Sequence, residues 1–235
     1  MSAYTHEIRQ QVFQQLDQVK LAFAARGWFP GTSGNLSIKI SSAPLLVAVT
    51  ASGKDKTVCT PHDYLVVDEN SKPYEATTLK PSAETQIHTA IYRNIPEIGA
   101  VFHVHTVPNN IVSELYGNQG YVTLRNQELI KGLGIWEEGA EIQIPIVENY
   151  ANIPRLAKEV ERVLNPQVPG VLIRNHGIYA WGKNDFEAKR HLEAFEFLFA
   201  YHLQWLQVQH IAVQLAEQHA IQPHNPLTYR TAGQL

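Results

Sequence analysis

Several short apolar runs of this chain follow one another with only a turn between them. The runs VLIRN and IYAW flank His176-Gly177, and SIKI is followed closely by LLVAVT. Antiparallel strands can be joined by a short turn, whereas parallel strands need a crossover of about a dozen residues or more. The chain is therefore expected to form a mixed, mostly antiparallel sheet and not the parallel sheet of a doubly wound fold.

Amphipathic helical segments are interspersed among these runs. Residues from about 5 to 26 carry apolar side chains at spacings of three and four, which predicts an opening helix. Ser82 is expected to cap a second helix, a short helix is predicted over 107–115, and Asn184 is expected to open a long helix that reaches about Gln209. Helices and strands mixed in this way predict an α/β fold with three layers, α/β/α, around the central sheet.

The composition is that of an ordinary folded protein. Of the 235 residues, 44% are hydrophobic and 17% are charged, and the sequence contains no evident repeat, linker or low-complexity segment. A chain of this length can bury a sizeable core without dividing into several domains. We expect a single domain over 1–235, with a core over about 5–210 and a C-terminal tail over 211–235.

Charge and cysteine content exclude several classes of function. A net charge of −3 offers no basic surface, so neither nucleic acid nor an anionic membrane is an expected partner. The single cysteine, Cys59, cannot form a disulfide within the chain, and the opening residues MSAYTHEIRQQ lack the pattern of a signal peptide. A cytoplasmic location is therefore expected.

Two histidines end one of the apolar runs, in the sequence FHVHT. His103 and His105 would project from the same face of a strand, where two imidazole nitrogens suit Zn²⁺. The best candidate for a third ligand is His176, because its loop lies between two apolar runs and Gly177 permits a tight turn. The alternatives are a pair of histidines that fall together by chance and a polar turn residue at His176.

Three loops rich in glycine and hydroxyl groups have the composition of an anion site. They combine backbone N–H groups with side-chain donors, which suits a phosphate group. The candidate phosphate-binding residues are Thr32, Ser33, Gly34, Asn35, Ser52, Gly53 and Ser82. Each loop taken alone is also compatible with a plain turn, and only a site built from all three would be a phosphate pocket.

These segments, in this order, resemble the class II aldolase/adducin head family. The resemblance is carried by GTSGNLS, TASG, KPSAE, the H-x-H pair and N-H-G, which together cover residues from about 10 to 205. It implies one Zn²⁺ per subunit held by His103, His105 and His176, within a layered α/β/α fold. It also implies a ketose phosphate as substrate and homo-oligomers, commonly tetramers, whose active sites lie near subunit interfaces.

Within that family, three segments of this chain resemble those of dehydratases: NQELIKG, PIVEN and LIRNHGIYAWG. Those enzymes act in methionine salvage and remove water from a methylthio-substituted ketose phosphate. The resemblance implies that Glu128, in NQELIKG, is the main acid/base. A metal on the C2 carbonyl and C3 hydroxyl oxygens would acidify the C3–H, and a carboxylic acid would then protonate the departing C4 hydroxyl.

Two other functions stay open at the level of the sequence. A sugar-phosphate aldolase or epimerase, of the fuculose or ribulose phosphate type, would use the same metal with Glu84 as acid/base. In a dehydratase, Glu84 would have a secondary role or fill the open zinc position. Ala83 stands where those aldolases have a second serine. The other alternative is a non-catalytic association module, as in adducin, which has no need of this set of histidines and glutamates.

Overall fold

Five α-helices, eight strands and three short 3₁₀ helices lie in the part of the chain that the structure describes. The computed structural model describes residues 4–221. Its helices are α1 (His6–Ala24), α2 (Thr85–Asn94), α3 (Val107–Leu115), α4 (Ile153–Val163) and α5 (Asp185–Ile221). Its strands are β1 (Asn35–Ser42), β2 (Leu45–Thr50), β3 (Tyr64–Asp68), β4 (Ala100–Val104), β5 (Tyr121–Arg125), β6 (Glu141–Val147), β7 (Gly170–Ile173) and β8 (Gly177–Gly182).

The strands form one sheet, in the order β3-β2-β1-β4-β8-β7-β6-β5. Neighbouring strands are antiparallel, except for β6 and β7, which are parallel. The parallel pair is the one whose strands are joined through a helix, α4, as the longer crossover of parallel strands requires. The expected mixed, mostly antiparallel sheet is therefore confirmed. Strand β3 comes in addition to the strands predicted from the sequence.

Helices cover both faces of the sheet. The buried side chains of α1 and α5 pack with strand residues on one face, and those of α2 and α4 do so on the other. Within β4, Phe102 belongs to the first core and Val101 to the second. This alternation follows from the two-residue period of a strand that is covered on both sides. The expected three-layer α/β/α architecture is confirmed.

The predicted cap of the second helix is wrong. Helix α2 begins at Thr85, and Glu84 occupies its N-cap position without a side-chain hydrogen bond to the backbone of the helix. Ser82 is held in the preceding loop, because its N–H donates to the Thr50 carbonyl at 3.1 Å and its own carbonyl accepts from the Thr85 N–H at 3.1 Å. These bonds tie Ser82 to the end of β2. By contrast, α3 covers the predicted range 107–115.

The last helix is longer than the sequence pattern predicts. Asn184 accepts a hydrogen bond from the Glu187 N–H at 2.8 Å, as expected for a cap, but α5 continues past Gln209 to Ile221. No glycine or proline lies between 185 and 221, so nothing in the sequence stops the helix. Residues 211–221 of the expected tail are therefore helical, and 222–235 lie outside the described residues. None of the helices described is long and apolar enough to cross a membrane.

Phe23 joins α1 to the sheet, so its truncation should destabilise the fold. Its ring lies 5.0 Å from that of Trp28 and 5.8 Å from that of Phe102, between ring centroids. Phe23→Ala should lower the free energy of unfolding by about 3–5 kcal/mol, the cost of deleting a buried aromatic ring. Leu21→Ala, at a position of the same helix that is 43% exposed, should change it by less than about 1 kcal/mol. Urea unfolding measures both, and equal losses would contradict the assigned packing.

Candidate metal centre and substrate site

The pairing of β4 with β8 brings three histidines together. His103 lies in β4, His105 follows the end of that strand, and His176 immediately precedes β8. The strands are antiparallel, with Val104 opposite Ile178. Gly177 lets them approach, because a Cβ there would collide with the Val104 carbonyl and lie 2.9 Å from His103 Cε1. One nitrogen of each histidine lies within 4.8 Å of the others.

Two contacts hold the ring of His103 in place. Its Nδ1–H donates to the Ile178 carbonyl at 2.9 Å, and its ring stacks on that of Tyr179 with centroids 4.0 Å apart. Because Nδ1 carries the proton, Nε2 carries the lone pair. That Nε2 lies 2.8 Å from Nε2 of His105. Two ring nitrogens thus face the same point, as the ligands of one metal ion do.

The donor set fits a divalent metal such as zinc. Burial lowers the pKa of His103 well below its ordinary value, although the charge of Glu84 opposes this. Burial, with His176 nearby, lowers the pKa of His105 to about 4. Both imidazoles are therefore neutral near pH 7, which is the form that binds a metal. A set of three histidines would leave a coordination position for substrate, as in catalytic zinc sites.

Glu84 is the fourth group at this centre. Its Oε1 lies 3.0 Å from His176 Nε2, and its Oε2 lies 3.5 Å from His103 Nε2. Asn35 Nδ2 donates to the same Oε2 at 2.7 Å. Burial raises the pKa of Glu84, but the interactions with His103, His176 and Asn35 outweigh this and hold the pKa below its ordinary value. An ionised carboxylate therefore stands beside the three imidazoles.

A buried histidine on α2, His88, is linked to Glu84 through Asn35. His88 is fully buried, and its Nδ1 lies 2.7 Å from the hydroxyl of Ser37. Its Nε2–H donates to Asn35 Oδ1, while the amide of Asn35 donates to Glu84. Both polar ends of the Asn35 side chain are thus engaged, and one of its amide N–H groups holds Glu84. Sequence reasoning assigned His88 no role, although its four-residue spacing from Glu84 is a usable signal.

The three candidate phosphate loops meet at the same end of the sheet. The Leu36 N–H donates to the Thr50 hydroxyl at 3.2 Å, which joins the first loop to the second. The N–H of Ser52 donates to the Lys80 carbonyl at 2.9 Å, which joins the second loop to the third. Within residues 4–221, the hydroxyl of Ser33 is buried and has no hydrogen-bond partner. A buried polar atom of this kind is normally satisfied, so this hydroxyl is available to a water or a ligand at the loop.

A buried lysine, which sequence reasoning missed, lies against the first loop. Lys56 is 5% exposed, and its ammonium donates to the Thr32 carbonyl at 2.7 Å. That carbonyl is the only acceptor bonded to this ammonium in the described part of the chain, although an ammonium has three donors. Burial lowers the pKa of Lys56, and the charge of Glu84 acts against this. The signal was the sequence SGKDK, in which Lys56 follows the candidate Ser52-Gly53 turn.

Glu128 is separate from the histidines in this chain. It begins a short 3₁₀ segment, Glu128–Leu133, after β5. Its side chain is 84% exposed and pairs with Lys131 at 2.8 Å. Among the described residues, no hydrogen bond or ion pair joins Glu128 to the histidine cluster. The fold of this chain therefore brings Glu84, but not Glu128, into contact with the histidine cluster.

The sequence from residue 14 to residue 203 matches the class II aldolase and adducin N-terminal domain. Among its relatives are enzymes named methylthioribulose-1-phosphate dehydratase. That of Persephonella marina is 53% identical over 195 residues, which are 83% of this chain and 90% of the relative. That of Bacillus subtilis is 53% identical over 207 residues, which are 88% of this chain and 99% of the relative.

Two solved structures share the fold. An L-fuculose 1-phosphate aldolase has a TM-score of 0.69 at 22% identity, over 84% of this chain and 87% of the other. The L-fuculose-1-phosphate aldolase of Thermus thermophilus has a TM-score of 0.65 at 22% identity, over 86% and 98%. At these identities the likeness concerns the fold alone. The family match and the relatives together show that the chain belongs to the class II aldolase and adducin N-terminal domain family.

Proposed function

We propose that this protein is a zinc-dependent dehydratase, a lyase that converts 5-methylthioribulose 1-phosphate to 2,3-diketo-5-methylthiopentyl 1-phosphate and water. The observation that carries the proposal is the 53% identity to the two dehydratases over 90% and 99% of their lengths. The histidine cluster and the anion loops support it, since this reaction needs a Lewis acid and a place for phosphate. The enzyme would act in methionine salvage, in the cytoplasm.

His103, His105 and His176 would hold the zinc ion. When bound, zinc would draw electron density from the carbonyl and hydroxyl oxygens at C2 and C3 of the substrate and so acidify the C3–H. Glu84 would occupy the open coordination position when substrate is absent. Its carboxylate would give up that position when the substrate binds. Its contacts with His103 and His176 support this secondary role.

Glu128 would transfer the protons. Its carboxylate would take the proton from C3 and deliver a proton to the hydroxyl that leaves from C4 as water; ketonisation of the resulting enol would give the diketone. Because Glu128 is exposed and apart from the histidines of its own chain, we propose that it serves the site of a neighbouring subunit in a homotetramer. The family resemblance, with active sites near subunit interfaces, supports that arrangement.

The phosphate would lie between the three anion loops. Thr32, Ser33 and Gly34 would bind it on one side, and Ser52, Gly53 and Ser82 on the other. The ammonium of Lys56, buried and bonded to the Thr32 carbonyl, would supply the positive charge that these neutral groups lack.

Aldol cleavage is the rival reaction. It is favoured by the position of Glu84, the acid/base expected of an aldolase, which lies beside the histidines while Glu128 does not. Both reactions would pass through an enediolate at C2 and C3. Dehydration would form it by loss of the C3 proton, whereas aldol cleavage would form it by loss of the C4 hydroxyl proton and breakage of the C3–C4 bond. They differ in the bond broken: cleavage between C3 and C4 would yield dihydroxyacetone phosphate, whereas dehydration retains all carbons. The products therefore separate the two functions.

The zinc-loaded protein should convert 5-methylthioribulose 1-phosphate to a product lighter by one water. A chelator should stop the reaction, because the Lewis acid is removed, and added zinc should restore it. Mass spectrometry of the phosphorylated products measures the outcome. Formation of dihydroxyacetone phosphate would show that the enzyme is an aldolase and not a dehydratase. An unchanged substrate would contradict both functions.

Mixed oligomers should show that Glu128 acts across a subunit interface. Glu128→Gln and His105→Ala should each be inactive alone, because one lacks the acid/base and the other a metal ligand. Co-assembled in equal amounts, they should recover about a quarter of the wild-type activity, the statistical share of sites with both intact groups. Differently tagged chains purified through both tags provide the sample, and the absence of any recovery would contradict the shared site.

Lys56→Met should lower kcat/KM for the phosphorylated substrate only. Loss of a charged hydrogen bond to phosphate should lower kcat/KM about 10- to 100-fold. Activity with unphosphorylated 5-methylthioribulose should change by less than about threefold, since that substrate makes no such bond. Lys54→Met, in the same loop, is the matched control and should leave both rates near wild type. Equal losses on the two substrates would show that Lys56 supports the loop only.

A further inference from the structure

The start of α3 lies between two of the metal-ligand segments. Thr106, its N-cap, directly follows His105 in the chain. The amide of Asn110 donates to the His176 carbonyl at 2.9 Å and to the Thr106 carbonyl at 2.9 Å. The first turn of this helix is therefore connected to His105 through the chain and to His176 through a hydrogen bond.

A carboxylate on α5 holds this turn from the other side. Glu196 is 6% exposed and accepts hydrogen bonds from the Thr106 hydroxyl at 2.5 Å and from the Asn109 amide at 2.8 Å. Asn109 in turn accepts from the Asn110 amide at 3.0 Å. A continuous network thus runs from Glu196 to the His176 carbonyl and to the residue after His105.

Packing alone does not explain a carboxylate at this position. The neighbouring α5 residues Phe195 and Phe199 are fully buried apolar side chains, as is usual for a core position. Burial raises the pKa of Glu196 to about 7, and only the hydrogen bonds from Thr106 and Asn109 oppose that rise. An apolar residue would avoid this desolvation cost, so what Glu196 contributes is its hydrogen bonds to Thr106 and Asn109.

We propose that Glu196 is a positioning residue for the metal centre: by binding Thr106 and Asn109, it fixes the two segments that carry His105 and His176. The inference rests on the proposed metal site. Side chains that orient metal ligands through hydrogen bonds typically change metal affinity about 10- to 100-fold when they are replaced. Glu196 acts one step further away, on the backbone that carries the ligands.

Glu196→Gln should weaken zinc binding about 10- to 100-fold, because Gln presents an NH₂ to one of the two donors. Competition with a chromophoric chelator at about pH 8, above the pKa of Glu196, measures the dissociation constant. The visible spectrum of the Co²⁺-loaded protein should also change, since it reports ligand geometry. Glu193→Gln is the matched control: Glu193 lies on the same helix and pairs with Arg26 and Lys189.

Substitutions of the residues that Glu196 holds test the same inference if Glu196→Gln folds poorly. Thr106→Val and Asn110→Ala should also weaken zinc binding, while Thr106→Ser, which keeps the hydroxyl, should restore it to within about threefold of wild type. The losses in Glu196→Gln and Asn110→Ala should not add in the double variant, because both break one network.

Unchanged zinc affinity and an unchanged Co²⁺ spectrum in Glu196→Gln, whatever its melting temperature, would overturn the inference. So would additive losses in the double variant with Asn110→Ala. A wild-type protein that binds no zinc would instead overturn the proposed metal site itself. The two failures are therefore distinguishable.

Discussion

The antiparallel pairing of β4 with β8 is the constraint on which the site depends. It sets His103 opposite Tyr179 and brings the turn that holds His176 to the end of β4. The same pairing offers the Ile178 carbonyl to the Nδ1–H of His103, and so determines which nitrogen faces the centre. A backbone ladder thus orients side chains that lie far apart in the sequence.

Around this pairing, each polar group at the centre is held by another. Glu84 is bonded by Asn35, and Asn35 by His88, deep in the layer between the sheet and α2. Buried polar groups are costly unless satisfied, so such networks are rigid when complete. Rigidity of this kind is what a metal centre requires, because ligands that are already in place lose little freedom when the metal binds.

Much of the fold follows from local patterns in the sequence, whereas part of the site does not. The hairpin around His176 and the helix α3 were predicted because turn residues and apolar periodicity act over a few positions. Lys56 and Glu196 were missed because their partners, Thr32 and Thr106, lie far away in sequence and meet them only in the folded chain. The extension of α5 was missed because absence of a helix breaker is a weaker signal than its presence.

Zinc-edge X-ray absorption on the protein loaded with one zinc per chain tests the central claim most directly. We expect three imidazole nitrogens at about 2.0–2.1 Å from the metal, with the remaining ligand an oxygen. The spectrum of His105→Ala should lose one of these nitrogens. A zinc ion bound by oxygens alone, or one whose spectrum does not change in that variant, would contradict a metal centre built from His103, His105 and His176.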